Sequence, residues 1–348
     1  MGEATSTLLA TSQNSSNRTR SWGTRLRSFG LLFVIAAAIV LSIIYKLQPD
    51  FLAPVTMVPC WFWLAAMLLV VLFCFRGTSN RIAWASIVSV LLFGIFFVEE
   101  VRSFTRFHQQ EVRAIAQRDT ERNSLRVVTV NCNIGSLKCA RETKELFPDI
   151  VVLQESPGRE VLTVLADELF GETGQVVSSG DTSILFSGEV VTKLENKQSH
   201  YTQTNAHLRT GTQVAIVSAR LSPPVYRLDF WSRKFWDKHA ESRRKHREQL
   251  TEIRQSLANI PAGIPTIIAG DFNSVAHDGA FDVLASEFAD AFQINGLGWG
   301  ATGTNDFPVF RVDQIWTNNH LVPQSVVARK TKHFDHRMVV GDFVLKSK

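Results

Sequence analysis

The chain has 348 residues, 45% of them hydrophobic, with a formal net charge of +5 and a sequence pI near 9.1. That length can bury a sizeable core and hold more than one structural unit, while the basic excess is too small to argue nucleic-acid binding by itself. Four cysteines, Cys60, Cys74, Cys132 and Cys139, are too few and too irregular for a disulfide framework or a thiolate metal cage. Cys132 and Cys139 read as buried free thiols, with a disulfide between them as the alternative.

Residues 1–28 are rich in Ser, Thr, Asn and Arg without apolar periodicity and read as a disordered cytoplasmic tail. Residues 29–45, 51–75 and 82–98 come next as three uncharged apolar stretches. Each matches the roughly 17–25 residues that a helix needs to cross a bilayer, so 29–98 is expected to form three transmembrane helices. A signal peptide for the first stretch, or three buried core helices, are the alternatives. Arg18, Arg20, Arg25 and Arg27 precede the first stretch, and Arg76 and Arg81 bracket the second loop. Positive charge stays cytoplasmic, so three crossings would deliver the chain beyond Val98 to the extracytoplasmic side of the cytoplasmic membrane.

Residues 99–124 are charged and helix-prone and read as a connector. From 125 to 348 short β-branched runs alternate with helical stretches. Strands are expected at 126–131, 150–154, 183–186, 214–221, 266–269, 314–317 and 339–345, and helices at 140–146, 160–169, 238–258 and 279–288. The spacing is too irregular for repeated βαβ units and predicts an α/β domain with two mixed sheets.

Acidic and amide residues gather where these strands end. Asn131 and Asn133 follow the first strand, Glu155 the second, and Asp271 and Asn273 the run PTIIA; Asp313 opens QIW, and Asp335 and His336 precede the last strand. Strand ends lie at a sheet rim, where such groups can converge. Oxygen ligands with one histidine and no thiolate suit Mg²⁺ or Mn²⁺ better than tetrahedral zinc.

In this order Asn131, the segment from Pro148 to Glu155, Gly270 to Asn273, Arg311 to Asp313 and Asp335-His336 resemble the motifs of the endonuclease/exonuclease/phosphatase (DNase I-like) superfamily. The resemblance covers about residues 125–345. It implies a four-layer α/β sandwich, two packed mixed β-sheets flanked by helices, and phosphoester hydrolysis by direct in-line attack of water. It implies that Glu155 binds the metal, with Asn131 and Asn133 shaping that site and Asp335 supporting the metal or Asp271. Asp271 would orient or deprotonate the water, Asn273 would donate to the phosphate, and Asp313 would hold His336 against it. Two positions depart from the pattern. Ser218-Ala219-Arg220-Leu221 stands where many members have N-x-H-L, and Phe334 replaces the usual Ser. Arginine cannot release a proton near neutrality but can bind phosphate, so Arg220 is a candidate substrate ligand or a surface residue beside a turn. Leaving-group protonation would then fall to His207, His333 or a metal-bound water.

Residues 227–254 are basic and aromatic, with Tyr226, Phe230, Trp231, Phe235 and Trp236 before the expected helix. They could grip a headgroup, enter the membrane interface or stack on bases; a mixed-charge exposed helix is the plainer reading. The layout resembles membrane-tethered bacterial members of the superfamily, some linked to teicoplanin resistance. A lipid-linked or cell-envelope phosphate ester is therefore the expected substrate. A tethered nuclease acting on DNA or RNA is possible but not favoured, and a non-catalytic binding domain comes third. No partner protein is legible.

Overall fold

In a computed structural model of the chain the described residues are 3–76, 79–106, 124–194, 200–261, 263–332 and 334–346. They fall into two compact units. One holds the chain up to Leu47 together with Val58–Glu99; the other holds Gln48–Met57 and the chain from Glu100.

The first four helices are α1 (Glu3–Leu47), α2 (Ala53–Met57), α3 (Cys60–Cys74) and α4 (Asn80–Phe97). In the first unit α1, α3 and α4 pack together over buried Leu31, Val34, Ala38, Val90 and Phe93. Large apolar side chains such as Phe33, Leu72, Phe73 and Phe96 point outward and are exposed. Apolar residues on the outer face as well as the inner suit a lipid solvent rather than water. Trp22–Leu47 and Asn80–Phe97 are each long and apolar enough to cross a membrane, and Asp50–Met57 with Cys60–Cys74 makes a third span if that pair, bent by 68°, is counted as one.

Two expectations change here. The backbone is helical from Glu3, through residues whose composition predicts a disordered tail; extending a helix already nucleated by the apolar stretch costs little per residue. The expected second span at 51–75 is broken. Pro59 caps α3 with extended backbone, φ −57° and ψ 138°, so the apolar helix starts at Cys60. Proline supplies no N–H and restricts the residue before it, which stops α2 from running into α3.

The strands of the second unit are β1 (Ser124–Asn131), β2 (Ile150–Gln154), β3 (Gly174–Ser179), β4 (Thr182–Leu194), β5 (Tyr201–Leu208), β6 (Gln213–Arg220), β7 (Thr266–Asp271), β8 (Phe288–Asp290), β9 (Asp313–Asn318), β10 (Leu321–Arg329) and β11 (Met338–Leu345). Its helices are α5 (Leu137–Glu142), α6 (Arg159–Phe170), α7 (Arg233–Ser256) and α8 (Ala291–Asn295). The strand order is β10-β11-β1-β2-β4-β5-β6-β7-β9-β8, with β3 on β4. Only β1/β2 and β6/β7 are parallel among the paired strands. β4 belongs to both halves, pairing with β2 up to Phe186 and with β5 from Gly188 onward. Gly188 sits at that transition with φ +147°, and a Cβ there would lie 2.1 Å from the His207 carbonyl oxygen, so no other residue fits the corner.

The halves stack face to face over Val127, Val152, Ile184, Ile216, Ile267, Ile315 and Phe343. The outer face of one half packs on α5 and α6 through Cys139, Leu162 and Leu165. The outer face of the other packs on α7 through Leu250 and Ile253. This is the four-layer α/β sandwich. Strands in its middle are apolar on both sides and read as continuous runs rather than alternations. Cys132 and Cys139 are buried free thiols and not a disulfide. The helix expected at 279–288 is instead a 3₁₀ turn, Gly279–Val283, followed by β8, because Phe288–Asp290 pairs with β9. Residues 107–123, most of the expected connector, lie outside the described residues.

Helix α7 turns His239, Arg243, His246, Leu250 and Ile253 inward at helical spacing. Arg243 is 1% exposed, pairs with Asp278 at 3.1 Å, and donates to the carbonyl of Gln48 at 3.1 Å and to the hydroxyl of Thr56. Arg247 forks onto Asp50 at 2.8 and 3.1 Å. The short segment Gln48–Met57 is thereby built into the second unit. Truncating a buried ion-pair partner strands the other charge, so Arg243→Ala should cost about 3–5 kcal/mol. Thermal unfolding should register that loss, and protease cutting within 48–57 should appear in the variant alone.

Candidate active site

Each candidate group sits where a buried strand reaches one rim of the sandwich. β1 ends at Asn131 and the parallel β2 one residue before Glu155; β6 ends at Arg220 beside Asp271 at the end of β7. β9 runs antiparallel to β7, so its first residue, Asp313, is the register partner of Asp271. His336 arrives just before β11 and bridges to Gly303. Gly270 permits this layout, since a Cβ at its φ of +152° would meet the Ala219 carbonyl oxygen at 1.9 Å.

Asp271 and Asp313 are both buried, and ligand atoms of Asp271, Asp313 and His336 lie within 4.8 Å of one another. The His336 Nδ1 bonds Asp313 Oδ2 at 2.8 Å. Asn131 Nδ2 donates to Asp271 at 3.0 Å and to Glu155 at 3.2 Å, linking the two acid groups. Glu155 accepts from the Ile134 N–H at 2.8 Å and from Arg220 at 2.7 Å, while the other arm of Arg220 reaches Asp181. Asn273 donates its backbone N–H to Asp271 at 2.9 Å and its side-chain amide to the Leu221 carbonyl at 2.9 Å. Among the described residues, four of the seven non-glycine positions with positive φ, Asn133, Ile134, Glu155 and Asn273, lie at this rim. Left-handed backbone at Ile and Glu is costly and persists where surrounding structure enforces it.

Asn133 is half-buried, its N–H held by Asn131 Oδ1 at 2.9 Å. Asp335 is exposed and has no hydrogen bond among the described residues. His207 is exposed at the far end of β5, opposite Gln213, away from the rim that carries Arg220. His333 lies outside the described residues. Two groups at the rim escape the sequence reading. Asp181 sits in the β3–β4 turn, where a Gly-Asp pair reads as an ordinary hairpin. Thr302, in a loop, accepts from the Asp313 N–H at 3.0 Å, and nothing in the sequence singles it out.

Burial, then the neighbouring Asp313 charge, pushes the Asp271 carboxyl up to about 6. Burial opposes charge on His336, but the Asp313 carboxylate and its hydrogen bond, then Asp271, raise the imidazole to about 10. Burial would also raise Glu155; hydrogen bonds from Ile134 and Asn131, with the Arg220 charge, leave it below the usual carboxylate range. The residues fit a hard divalent cation. They offer carboxylate and amide oxygens, and the buried Asp313 Oδ1 has no partner among the described residues.

A raised imidazole stabilises the fold fully below its unfolded value and ceases to do so as pH rises through its folded value. In chelator-treated protein the thermal midpoint should therefore fall from about pH 6.5 toward about 10. Comparing His336→Asn with the parent chain tests this. Parallel curves would refute the assignment, and the expected result is a flatter one for the variant.

Residues 128–336 match the model of the Endonuclease/Exonuclease/phosphatase family. No curated protein is detectably similar to the chain. Solved structures resembling it include an endonuclease/exonuclease/phosphatase family protein from Bacteroides thetaiotaomicron, at 12% identity and a TM-score of 0.50 over 64% of this chain and 98% of that one. A family protein from Bacteroides vulgatus aligns at 16% identity and 0.49, over 64% and 100% of the two chains. A mannosyl-6-phosphatase of Bacteroides thetaiotaomicron aligns at 13% and 0.48, also over 64% and 100%. The matched model spans every strand end that builds this rim, and the chain belongs to the endonuclease/exonuclease/phosphatase family, whose members are phosphoester hydrolases.

Proposed function

We propose that the chain is a membrane-tethered, divalent-metal-dependent phosphohydrolase acting on a lipid-linked or cell-envelope phosphate ester. The observation that carries the chemistry is the convergence of Asn131, Glu155, Arg220, Asp271, Asn273, Asp313 and His336 at one sheet rim. The tether rests on two helices long and apolar enough to cross a membrane, and on a third span when the bent pair Asp50–Met57 and Cys60–Cys74 is counted as one. Three crossings match the three apolar stretches of the sequence. With the arginines before the first span cytoplasmic, the catalytic unit faces the extracytoplasmic side. Tethering raises the local concentration of a membrane substrate, which favours a lipid phosphate over a soluble one.

In this reading Glu155 and Asn131 would hold Mg²⁺ or Mn²⁺, with Asn133 shaping the loop and Asp335 at its margin. The ion would supply charge for the phosphoryl oxygens. Asp271, raised toward neutrality, takes a proton from the attacking water and orients it. His336 is a cation near neutrality, held by Asp313, and stabilises charge gathering on the phosphoryl oxygens. Asn273 donates to the phosphate. Arg220 keeps Glu155 ionised and holds a fixed positive charge beside it that can attract the phosphate.

The full-length protein in mild detergent should release phosphate from polyprenyl phosphates or phospholipids when Mg²⁺ or Mn²⁺ is present. Asp271→Ala and His336→Ala should each lower turnover by about 10²–10⁴-fold. Cleavage of plasmid DNA or RNA instead would move the assignment to a tethered nuclease, and inertness toward the whole panel would leave a binding domain.

A further inference from the structure

The loop between β6 and α7 carries an apolar surface that the hydrolytic site does not use. Tyr226, Leu228, Phe230 and Trp231 are 87%, 88%, 66% and 78% exposed. Single exposed apolar residues are ordinary in a globular unit, but four large ones within six positions form a patch. The loop is also ordered. Arg227 forks onto Asp229 at 2.6 and 3.0 Å, the Ser232 N–H bonds the Asp229 carbonyl at 2.8 Å, and the Trp236 indole N–H bonds the Phe230 carbonyl at 2.8 Å. Phe230 and Trp231 meet edge to face at 5.1 Å. These rings are presented outward by a built turn.

Two further observations select the partner. Arg233 and Lys234, at the first turn of α7, are exposed beside the aromatic rings, giving the mixture of aromatic and cationic groups that settles at the headgroup level of a bilayer. The other is connectivity. His239, two turns into α7, touches the Met57 sulfur through its ring nitrogen at 2.9 Å, and Arg243 holds Thr56. Met57 is three residues before Cys60, where apolar α3 begins. At no more than about 3.6 Å per residue, the chain from Met57, held on α7, to Cys60 spans at most ~11 Å. Apolar α3 thus follows directly on a segment fastened to α7.

We infer that the loop at residues 226–231, with the first turn of α7, is a membrane-docking element that seats its aromatic and leucine side chains in the headgroup–acyl boundary of an anionic bilayer. Its tip would add an attachment through lipid to the covalent passages of the chain between the two units at Leu47–Gln48, Met57–Val58 and Glu99–Glu100.

The test uses the full chain reconstituted in vesicles of phosphatidylcholine and phosphatidylglycerol. Leu228→Cys and Trp231→Cys are labelled with an environment-sensitive NBD probe, with Thr210→Cys in the exposed β5–β6 turn as the control and the parent chain as background for Cys74. Blue-shifted emission at 228 and 231, with most of it lost when the lipids carry a nitroxide near the headgroup, is the expected result, with no change at 210. Water-like, unquenched emission at both loop positions would overturn the inference and mark the patch as a surface for a protein. The readout does not depend on turnover, so it stands or falls separately from the proposed reaction. As a second measure, replacing Tyr226, Leu228, Phe230 and Trp231 by Ser should raise KM severalfold for a substrate in vesicles and leave hydrolysis of a soluble ester unchanged. Equal losses on both substrates would also overturn it.

Discussion

Asp271 and Asp313 face each other as register partners across β7 and β9, and both are buried. Two carboxylates so placed resist ionising together, and an unpaired buried charge costs several kcal/mol, roughly 3–5 when a partner is removed. The rest of the rim answers that demand. His336 binds one acid as a cation, Asn131 donates to the other, and the N–H groups of Asn273 and Asp313 are anchored within the same network. Left-handed backbone at Glu155 and Asn273 is held in place by these bonds rather than by local preference. The sandwich keeps the geometry fixed, because each side chain projects from the end of a strand buried on both faces.

Much of this was legible in the sequence, and for a physical reason. Strands in the middle of a four-layer sandwich must be apolar on both sides, so the runs in β1, β2, β6, β7, β9 and β11 stand out, and the polar residues that end them stand out more. Strands β3, β5, β8 and β10 did not announce themselves. Strand β5 buries Thr202, Gln203 and Thr204, whose polarity hides it, while β8 has three residues and β10 carries Pro323 near a register shift. Asp181 escapes notice because its role depends on Arg220, 39 positions away and across the sheet, a pairing no local pattern encodes.

The stretch at 51–57 misleads for the opposite reason. Hydropathy averages side chains and is blind to Pro54, Pro59 and the pairing of Asp50 with Arg247. Counted as apolar length it extends a membrane span. Taken as backbone it is a short helix that ends before a proline and packs on the catalytic unit through Arg243, His239 and Arg247. The difference changes what the segment touches, since Gln48–Met57 packs on α7 within the second unit.

Arg220 shows how a departure from a family pattern can be read through charge balance. A histidine there could exchange a proton with the reaction; an arginine holds its charge at every working pH. Here it lies between Glu155 and Asp181, and their charges raise its own proton affinity despite burial. The rim then sets four carboxylates, Glu155, Asp181, Asp271 and Asp313, against two cations, Arg220 and His336. The shortfall of two charges is what a divalent ion would supply in the proposed mechanism, while burial, then the Asp313 charge, raises Asp271. An arginine at position 220 therefore cannot exchange a proton near neutrality and keeps a permanent cation beside Glu155.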